Sequence, residues 1–565
     1  MKTTRIFGLF ALAALLFTVS GPAFGAANIV IVNIDGANEG FNDPAPAAPV
    51  GGNPGTTLGQ QRLIAFQYAA DVWGSILDSA APIYIQAAFN PLPCTATGAT
   101  LGQAGAIQVF SNFAGAEYLN TWYHVALANK LAGGDLAPGP NGTASDDIVA
   151  TFNTDLDNPV CLGLTGWYYG LDANHGANID LITVLLHEFG HGLGFSGFYN
   201  KASGALLAGQ GDVYGTYNYN VSRGKFWNQM TNAERAASTI DTNQTVWTGI
   251  NVTAAAPSVL QLGTPLLTVN APASLGSFRV GAAAFGPALA APGVTGDLVL
   301  ALDAANVAGP STTDACSPLT NAAAVAGKIA ILDRGTCGFV VKVKNAQDAG
   351  AIGVVVADNA IGSPPAGMAG VDATITIPSA RVSLGDGIKL KTALGLGTVN
   401  LTLGVNPNVR AGMHPSGYVL LNAPNPVVGG SSISHWDPIA FPNLLMEPAI
   451  NGDLTHGVDL TRQEMIDIGW FSDGDGVPDG LDQCIGSSRN ATIVIDGCDS
   501  GVTNTTFTTG CRISDQINDC AVGAGNHGAF VSCVSQLTNK LKKNGIMTDA
   551  QKGAVQSCAG QARIP

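Results

Sequence analysis

Basic residues are scarce in this chain. Its 25 Lys and Arg stand against 40 Asp and Glu, a formal charge of −15, and such a field repels phosphate backbones and anionic headgroups. Nucleic acid is therefore excluded as an expected partner. Beyond residue 26 no stretch reaches the ~20 consecutive apolar residues that a spanning helix needs, so no integral membrane segment is expected. Cys-x-x-Cys pairs of the zinc-ribbon type are missing as well. The ten cysteines, at 94, 161, 316, 337, 484, 498, 511, 520, 533 and 558, are even in number, and in an exported chain they fit disulfides and an oxidising destination.

Export itself is read from MKTTRIFGLFALAALLFTVSGPAFGAA, where Lys2 and Arg5 precede an apolar run from Ile6 to Val19 and small residues follow at Ala23, Gly25 and Ala27. That is the layout of a cleaved secretory signal over 1–26, and it predicts a secreted, extracellular protein. At roughly 150 residues per domain the remainder suggests three or four folded units. Residues 27–256 alternate β-branched runs (NIVIVNI, PIYIQAAF, DDIVATFN) with a helical pattern in QQRLIAFQYAADVWGSIL, which reads as α/β. Residues 257–406 turn to Ala, Gly, Val and Pro with short strands and one amphipathic helix, VVKVKNAQDAG, and read as an inserted domain. In 407–471, a last helix with a Thr461-x-x-Glu464 capping box and Gly469 near its end belongs with the first unit. An acidic loop follows at 472–484, then a cysteine-rich helical tail at 485–565.

Chemistry concentrates in IDLITVLLHEFGHGLGFSG. Asp180 can cap a helix that buries Leu181, Ile182, Val184, Leu185, Leu186 and Phe189, leaving His187 and His191 four apart on one face. Two neutral imidazoles one turn apart suit zinc, and a catalytic zinc keeps three protein ligands and an open position for water. Glu188 is then placed to take a proton from that water as it attacks a peptide carbonyl. A pair of core histidines is the plainer reading of two buried imidazoles, but it leaves Glu188 unpaired in an apolar stretch at a cost of several kcal/mol. Gly192 and Gly194 are expected to end the helix.

The extended pattern His-Glu-x-x-His-x-x-Gly is that of the metzincin clan, whose third histidine lies three residues after the glycine. Gly197 occupies that position here and cannot bind metal, so His414, His435, His456 and Asp212 are the candidates. Only His435 closely precedes a segment like the methionine turn of that clan, NLLMEP around Met446. With HEFGHGLGFSG, then SHWDPIAFPNLLMEP and a helix ending DIGWF, the chain resembles the leishmanolysin family, which also carries a large insertion before its third histidine. The resemblance implies zinc ligands at His187, His191 and His435, the base at Glu188, the methionine turn at Met446 and the turn glycine at Gly194. It departs from that family in a longer insertion and in a short region ahead of the helix, without the family's long inhibitory propeptide.

The inserted stretch VAGKIAILDRGTCGFVVKVKNAQDAGAIGVVVADN, continuing to ITIPSARVSLGDGIKL, resembles the protease-associated (PA) domain, a small α/β module of secreted peptidases and sorting receptors. Cys316 and Cys337 are expected to pair within it, and Cys94 and Cys161 are the disulfide candidates of the first unit. A PA domain would shape access to the cleft or act as a spacer. Asp473, Asp475, Asp479 and Asp482 in DGDGVPDGLDQC are spaced like a thrombospondin type 3 calcium repeat, and lack the closing glutamate of an EF-hand. Calcium is expected there because four close carboxylates repel one another without a cation.

Together these features predict a metzincin-type α/β catalytic domain with an inserted PA domain, a calcium loop and a disulfide-stapled helical module. The expected activity is zinc-dependent endopeptidase action on protein or peptide substrates, with an edge strand, DDIVATFN, pairing with the substrate backbone. A non-catalytic adhesin that keeps zinc for stability is the alternative, and the intact Glu188 argues against it. A gluzincin is excluded by the lack of a downstream Glu-x-x-x-Asp/Glu helix.

Overall fold

The structure, a computed structural model, describes residues 27–564 except 140–144, 159, 164, 472–476, 478–481, 485–486 and 489. The expected leader and three of the loop aspartates, Asp473, Asp475 and Asp479, lie outside the described residues.

The first unit is a four-stranded sheet of β1 (Ile29–Asn33), β2 (Ile83–Asn90), β3 (Gly102–Ala106) and β4 (Ile148–Asn153), in the spatial order β1-β2-β4-β3. β1, β2 and β4 run parallel, and β3 lies antiparallel on the edge beside β4. The expectation that DDIVATFN forms the edge is therefore corrected: β4 is interior. The edge strand is GQAGA, which has no β-branched residue and no apolar alternation, and so carries almost no strand signal.

Two helices pack on this sheet. α1 (Leu58–Ile76) begins at Thr57, whose side chain accepts from the Gln60 N–H, and buries Phe66, Ala69, Ala70 and Trp73. Trp73 donates its indole N–H to the carbonyl of Leu186 at 3.1 Å, tying it to α2 (Leu181–Leu193), every residue of which is buried. After the insertion the chain returns to this unit, where Val419–Leu420 pairs antiparallel with Val246–Trp247. One apolar core accordingly draws on residues from 27–260 and from 413–471.

Between them, α3 (Ile250–Val259) leads into an eight-stranded sheet. Its strands are β5 (Leu262–Ala271), β6 (Ser277–Arg279), β7 (Gly281–Ala282), β8 (Val294–Leu300), β9 (Ile329–Asp333), β10 (Gly353–Ala357), β11 (Ser379–Val382) and β12 (Asn400–Arg410), in the order β6-β5-β12-β8-β9-β10-β11-β7. β8 to β11 form a parallel centre, in which β9 (IAILD) and β10 (GVVVA) are nearly continuous apolar runs, as burial on both faces requires. Helix α4 (Phe339–Asp348) connects β9 to β10, and α5 (Leu384–Leu396) connects β11 to β12.

α6 (Thr461–Asp467) closes the first unit, without the expected capping box. Its N-cap is Leu460, Thr461 Oγ donates instead to Asp459 at 3.0 Å, and Glu464 is fully buried. The apolar core draws the glutamate inward, away from the helix start. The tail holds a hairpin, β13 (Thr492–Ile495) and β14 (Cys498–Thr503), and helices α7 (Ile513–Val522), α8 (His527–Lys543) and α9 (Asp549–Gln561) around their own core. All ten cysteines pair, as 94–161, 316–337, 484–511, 498–558 and 520–533.

Candidate metal centre

The side chain of Asp180 caps α2 by accepting from the Ile182 N–H at 3.2 Å, and the helix then presents His187 and His191 on one face. His435 arrives from the other side of the insertion. The three Nε2 atoms stand 3.2, 3.3 and 3.2 Å apart. Each Nδ1 faces a backbone carbonyl: His187 that of Leu445 at 2.7 Å, His191 that of Phe195 at 2.9 Å, and His435 that of Ser431 at 3.0 Å. A carbonyl can only accept, so each Nδ1 carries the proton and each Nε2 points a lone pair at the other two.

Three lone pairs at this range repel one another unless a cation lies between them. Tetrahedral ligation at the ~2.0–2.1 Å of zinc–imidazole bonds would separate the nitrogens by about 3.3 Å, which is the spacing found. Burial drives His187 down to about 4 and His191 to about 3, and holds His435 well below its ordinary value. All three are thus neutral imidazoles at ordinary pH. Among the described residues this is the one cluster of three such side chains that could hold a metal ion.

Glu188 lies beside them, buried, with its carboxyl accepting from the Ala104 N–H of β3. Burial pushes it up to about 8, against the opposing pull of that hydrogen bond. Gly102 on the same strand is packed so closely that a Cβ there would sit 3.1 Å from Glu188 Cγ.

Glycine also shapes the floor and the exit of the helix. A Cβ on Gly190 would lie 3.0 Å from Met446 Sδ, so Met446 packs directly under the helix between the two histidines. Contrary to the expectation, Gly192 does not end α2: it lies in the last turn, where a Cβ would meet Ile148 at 2.5 Å. Gly194 is the C-cap, with φ +152°, and a Cβ there would strike Ile468 Cδ1 at 2.3 Å.

The other candidate ligands sit elsewhere. His456 Nε2 contacts Asp180 at 2.7 Å, at the N-terminus of α2. Asp212 accepts from the N–H groups of Gly215 and Phe198 at 2.6 and 2.7 Å. His414 lines a cleft of about 260 Å³ against the inserted sheet. Asp482, the one calcium candidate described, is buried and accepts from the Cys484 N–H at 2.7 Å.

Sequence reasoning missed three participants. Ala104 bonds Glu188 from a strand with no signature. His124, fully buried, meets Ser196 Oγ through Nε2 at 2.8 Å, and Ser196 in turn donates to the carbonyl of His191 at 3.3 Å. Only the serine had a positional clue, its closeness to Gly194.

A family model for the PA domain matches residues 294–390, so the chain carries a PA domain within the inserted segment. A 76-residue stretch is 42% identical to the minor extracellular protease Vpr of Bacillus subtilis, covering 14% of this chain and 9% of that protein. Leucine aminopeptidase 2 of Trichophyton equinum is 39% identical over 79 residues, 14% of this chain and 16% of that one. The ER degradation-enhancing alpha-mannosidase-like protein 3 of Homo sapiens is 51% identical over 57 residues, 10% of this chain and 6% of it. This chain therefore spans less than a fifth of the length of these relatives. Among solved structures, an aminopeptidase from Aneurinibacillus sp. strain AM-1 aligns with 22% identity and a TM-score of 0.20, over 26% of this chain and 31% of that one.

Proposed function

We propose that this chain is a secreted zinc-dependent endopeptidase on the leishmanolysin-like plan, with His187, His191 and His435 as ligands, Glu188 as general base and Met446 beneath the site. The observation that carries this reading is the convergence of three Nε2 lone pairs beside a buried carboxyl that is not itself a ligand. Zinc held there would act as a Lewis acid on the scissile carbonyl and on the attacking water. Glu188 takes a proton from that water on its carboxylate and returns it to the leaving nitrogen. The free side of β3 offers backbone N–H and C=O groups to an extended peptide, and the bond from Ala104 to Glu188 sets the base directly against that edge. A site that holds zinc only for stability has no need of a buried carboxyl next to it, which favours the peptidase over a secreted binding or adhesion protein.

Protein and peptide substrates outside the cell suit five disulfides, and no helix among the described residues is long and apolar enough to cross a membrane. Calcium at the loop 472–484, through Asp473, Asp475, Asp479 and Asp482, belongs to the same proposal as a structural ion ahead of the tail.

The test is casein hydrolysis by the purified protein beside Glu188→Ala and His435→Ala, with zinc measured in all three. Glu188→Ala is expected to keep zinc and lose ~10²–10⁴-fold in rate, and His435→Ala to lose both. Internal fragments distinguish endopeptidase action from stepwise release of amino-terminal residues. Full zinc and activity in His435→Ala would remove the ligand assignment, and a zinc-loaded wild type that cleaves nothing would favour the binding-protein alternative.

A further inference from the structure

His187 and His191 are held by a helix that is buried throughout, whereas His435 belongs to a segment, 422–437, with no helix or strand of its own. Its backbone is fixed on one side by Asn422, whose N–H donates to the His435 carbonyl at 2.9 Å and whose carbonyl accepts from Ile433 at 2.7 Å. Asp437, two residues beyond the ligand, has a fully buried carboxylate. That carboxylate is held by Arg279 from the end of β6 in the inserted domain. Arg279 donates from Nη1 to Asp437 Oδ2 at 2.7 Å and from Nη2 to Oδ1, and Nη1 also reaches Asn243 Oδ1 at 2.5 Å. The arginine side chain is itself only 10% exposed. A second clasp lies nearby, where Ser363 of the inserted domain and Asn425 exchange backbone hydrogen bonds of 2.8 and 2.6 Å.

A buried carboxylate that loses its guanidinium partner is strongly driven to reach water. Asp437 could do so only by moving the segment that carries His435. From this geometry we infer that Arg279 is a positioning residue for the metal centre: the inserted domain sets His435 through a bidentate bond to Asp437 and so sets how tightly the three histidines hold their ion. The insertion between the second and third ligands is then a working part of the centre. The inference rests on the histidine triad being the metal site, and it gives the inserted domain a role that neither substrate access nor spacing supplies.

The experiment is zinc affinity, measured on the full chain by competition with a chromophoric chelator, for wild type, Arg279→Lys, Arg279→Gln, Asp437→Asn and the Arg279→Gln/Asp437→Asn pair. Lys391→Gln serves as the control, because Lys391 on α5 pairs with Asp333 at the end of β9 in the inserted domain and its loss perturbs that domain away from Asp437. Partners of metal-binding side chains typically change affinity by about 10–100-fold, so Arg279→Gln is expected to bind zinc about tenfold more weakly or worse. Arg279→Lys keeps the charge, loses the bidentate fork, and is expected to fall between. The double variant should be no worse than the worse single one, since both act through one bond.

Should Arg279→Gln fail to fold, Arg279→Lys carries the test through its rate of zinc loss to excess chelator, expected to rise severalfold. Zinc affinity and release unchanged in the folded Arg279 variants, or equally weakened in Lys391→Gln, overturns the inference while leaving the peptidase reading intact. A wild type that takes up no zinc overturns both.

Discussion

The first unit and the inserted domain are both α/β, yet they treat several of their buried acids in opposite ways. In the inserted domain the buried carboxylate of Asp358 accepts from Arg381 Nε at 2.8 Å and Arg334 Nη1 at 3.1 Å, and from the N–H groups of Asn359 and Ala360. Burial alone would raise Asp358, but the two arginines hold it below the ordinary carboxylate range. The first unit, Asp437 with its Arg279 partner apart, instead buries acids with no cation beside them: burial pushes Glu188 and Glu447 up to about 8 and Asp467 to about 7. Paired charges serve a scaffold, because they ask nothing of solvent. Imidazoles kept neutral are the state a metal ligand requires, and a carboxyl whose proton affinity burial has raised is, once ionised, the stronger acceptor for a proton.

The first way to break this contrast is to remove one member of the scaffold's pair. Asp358→Ala leaves Arg381, whose side chain is 8% exposed, as a buried cation without its carboxylate. It is expected to destabilise the inserted domain by ~3–5 kcal/mol, read from that domain's unfolding transition in scanning calorimetry. A loss under about 1 kcal/mol would mean that solvent reaches the arginine and that the two units do not differ in the way argued.

The second test is pH, applied to metal-free protein. An acid with a raised folded-state pKa binds its proton more tightly folded than unfolded. Its contribution is complete below its ordinary value near 4 and is lost as pH rises through its folded value, here about 7 for Asp467 and about 8 for Glu447 and Glu188. The histidines act in the other direction but only below their ordinary value of 6.5. Between pH 6.5 and 9 the first unit should therefore lose stability, on the order of a few kcal/mol. The pair around Asp358, whose stabilisation is lost only in acid, should show no such slope. Equal slopes in both units would erase the distinction.

A smaller effect probes the exit of α2, the helix that carries His187 and His191. Gly194→Ala places a Cβ 2.3 Å from Ile468 Cδ1 at φ +152°, and an expected loss of ~1–3 kcal/mol in urea denaturation follows from overpacking and backbone strain. Ile468→Ala in the same chain should recover only the part due to contact.

The legible part of this molecule was whatever local periodicity or spacing encodes. His187, Glu188 and His191 share one helical turn, and the parallel strands β9 and β10 are runs of apolar residues, so both were plain in the sequence. The convergence of His435 with them lies across the whole insertion, and residue spacing left four candidates open until the resemblance chose one. Edge strand β3 was invisible because GQAGA has no side chains to alternate; its role comes from backbone groups alone. Thr461-x-x-Glu464 misled for the opposite reason. The local pattern was present, but the core's demand for that helix face turned Glu464 inward.

Glu464 also supplies the mildest and most discriminating test. It is fully buried, neither carboxyl oxygen has a partner among the described residues, and burial together with the nearby Asp467 raises it well above its ordinary value. Unlike Asp358, it leaves no opposite charge behind when removed. Glu464→Leu, similar in volume, should therefore stay within ~1 kcal/mol of wild type at pH 6. At pH 9 it should be the more stable of the two, because the wild type must then ionise or protonate this acid at a cost and the leucine need not. The same substitution logic that makes Asp358→Ala severe makes Glu464→Leu mild, and a loss of several kcal/mol at pH 6 would show that Glu464 is held by a polar partner after all, placing it with the paired charges of the scaffold.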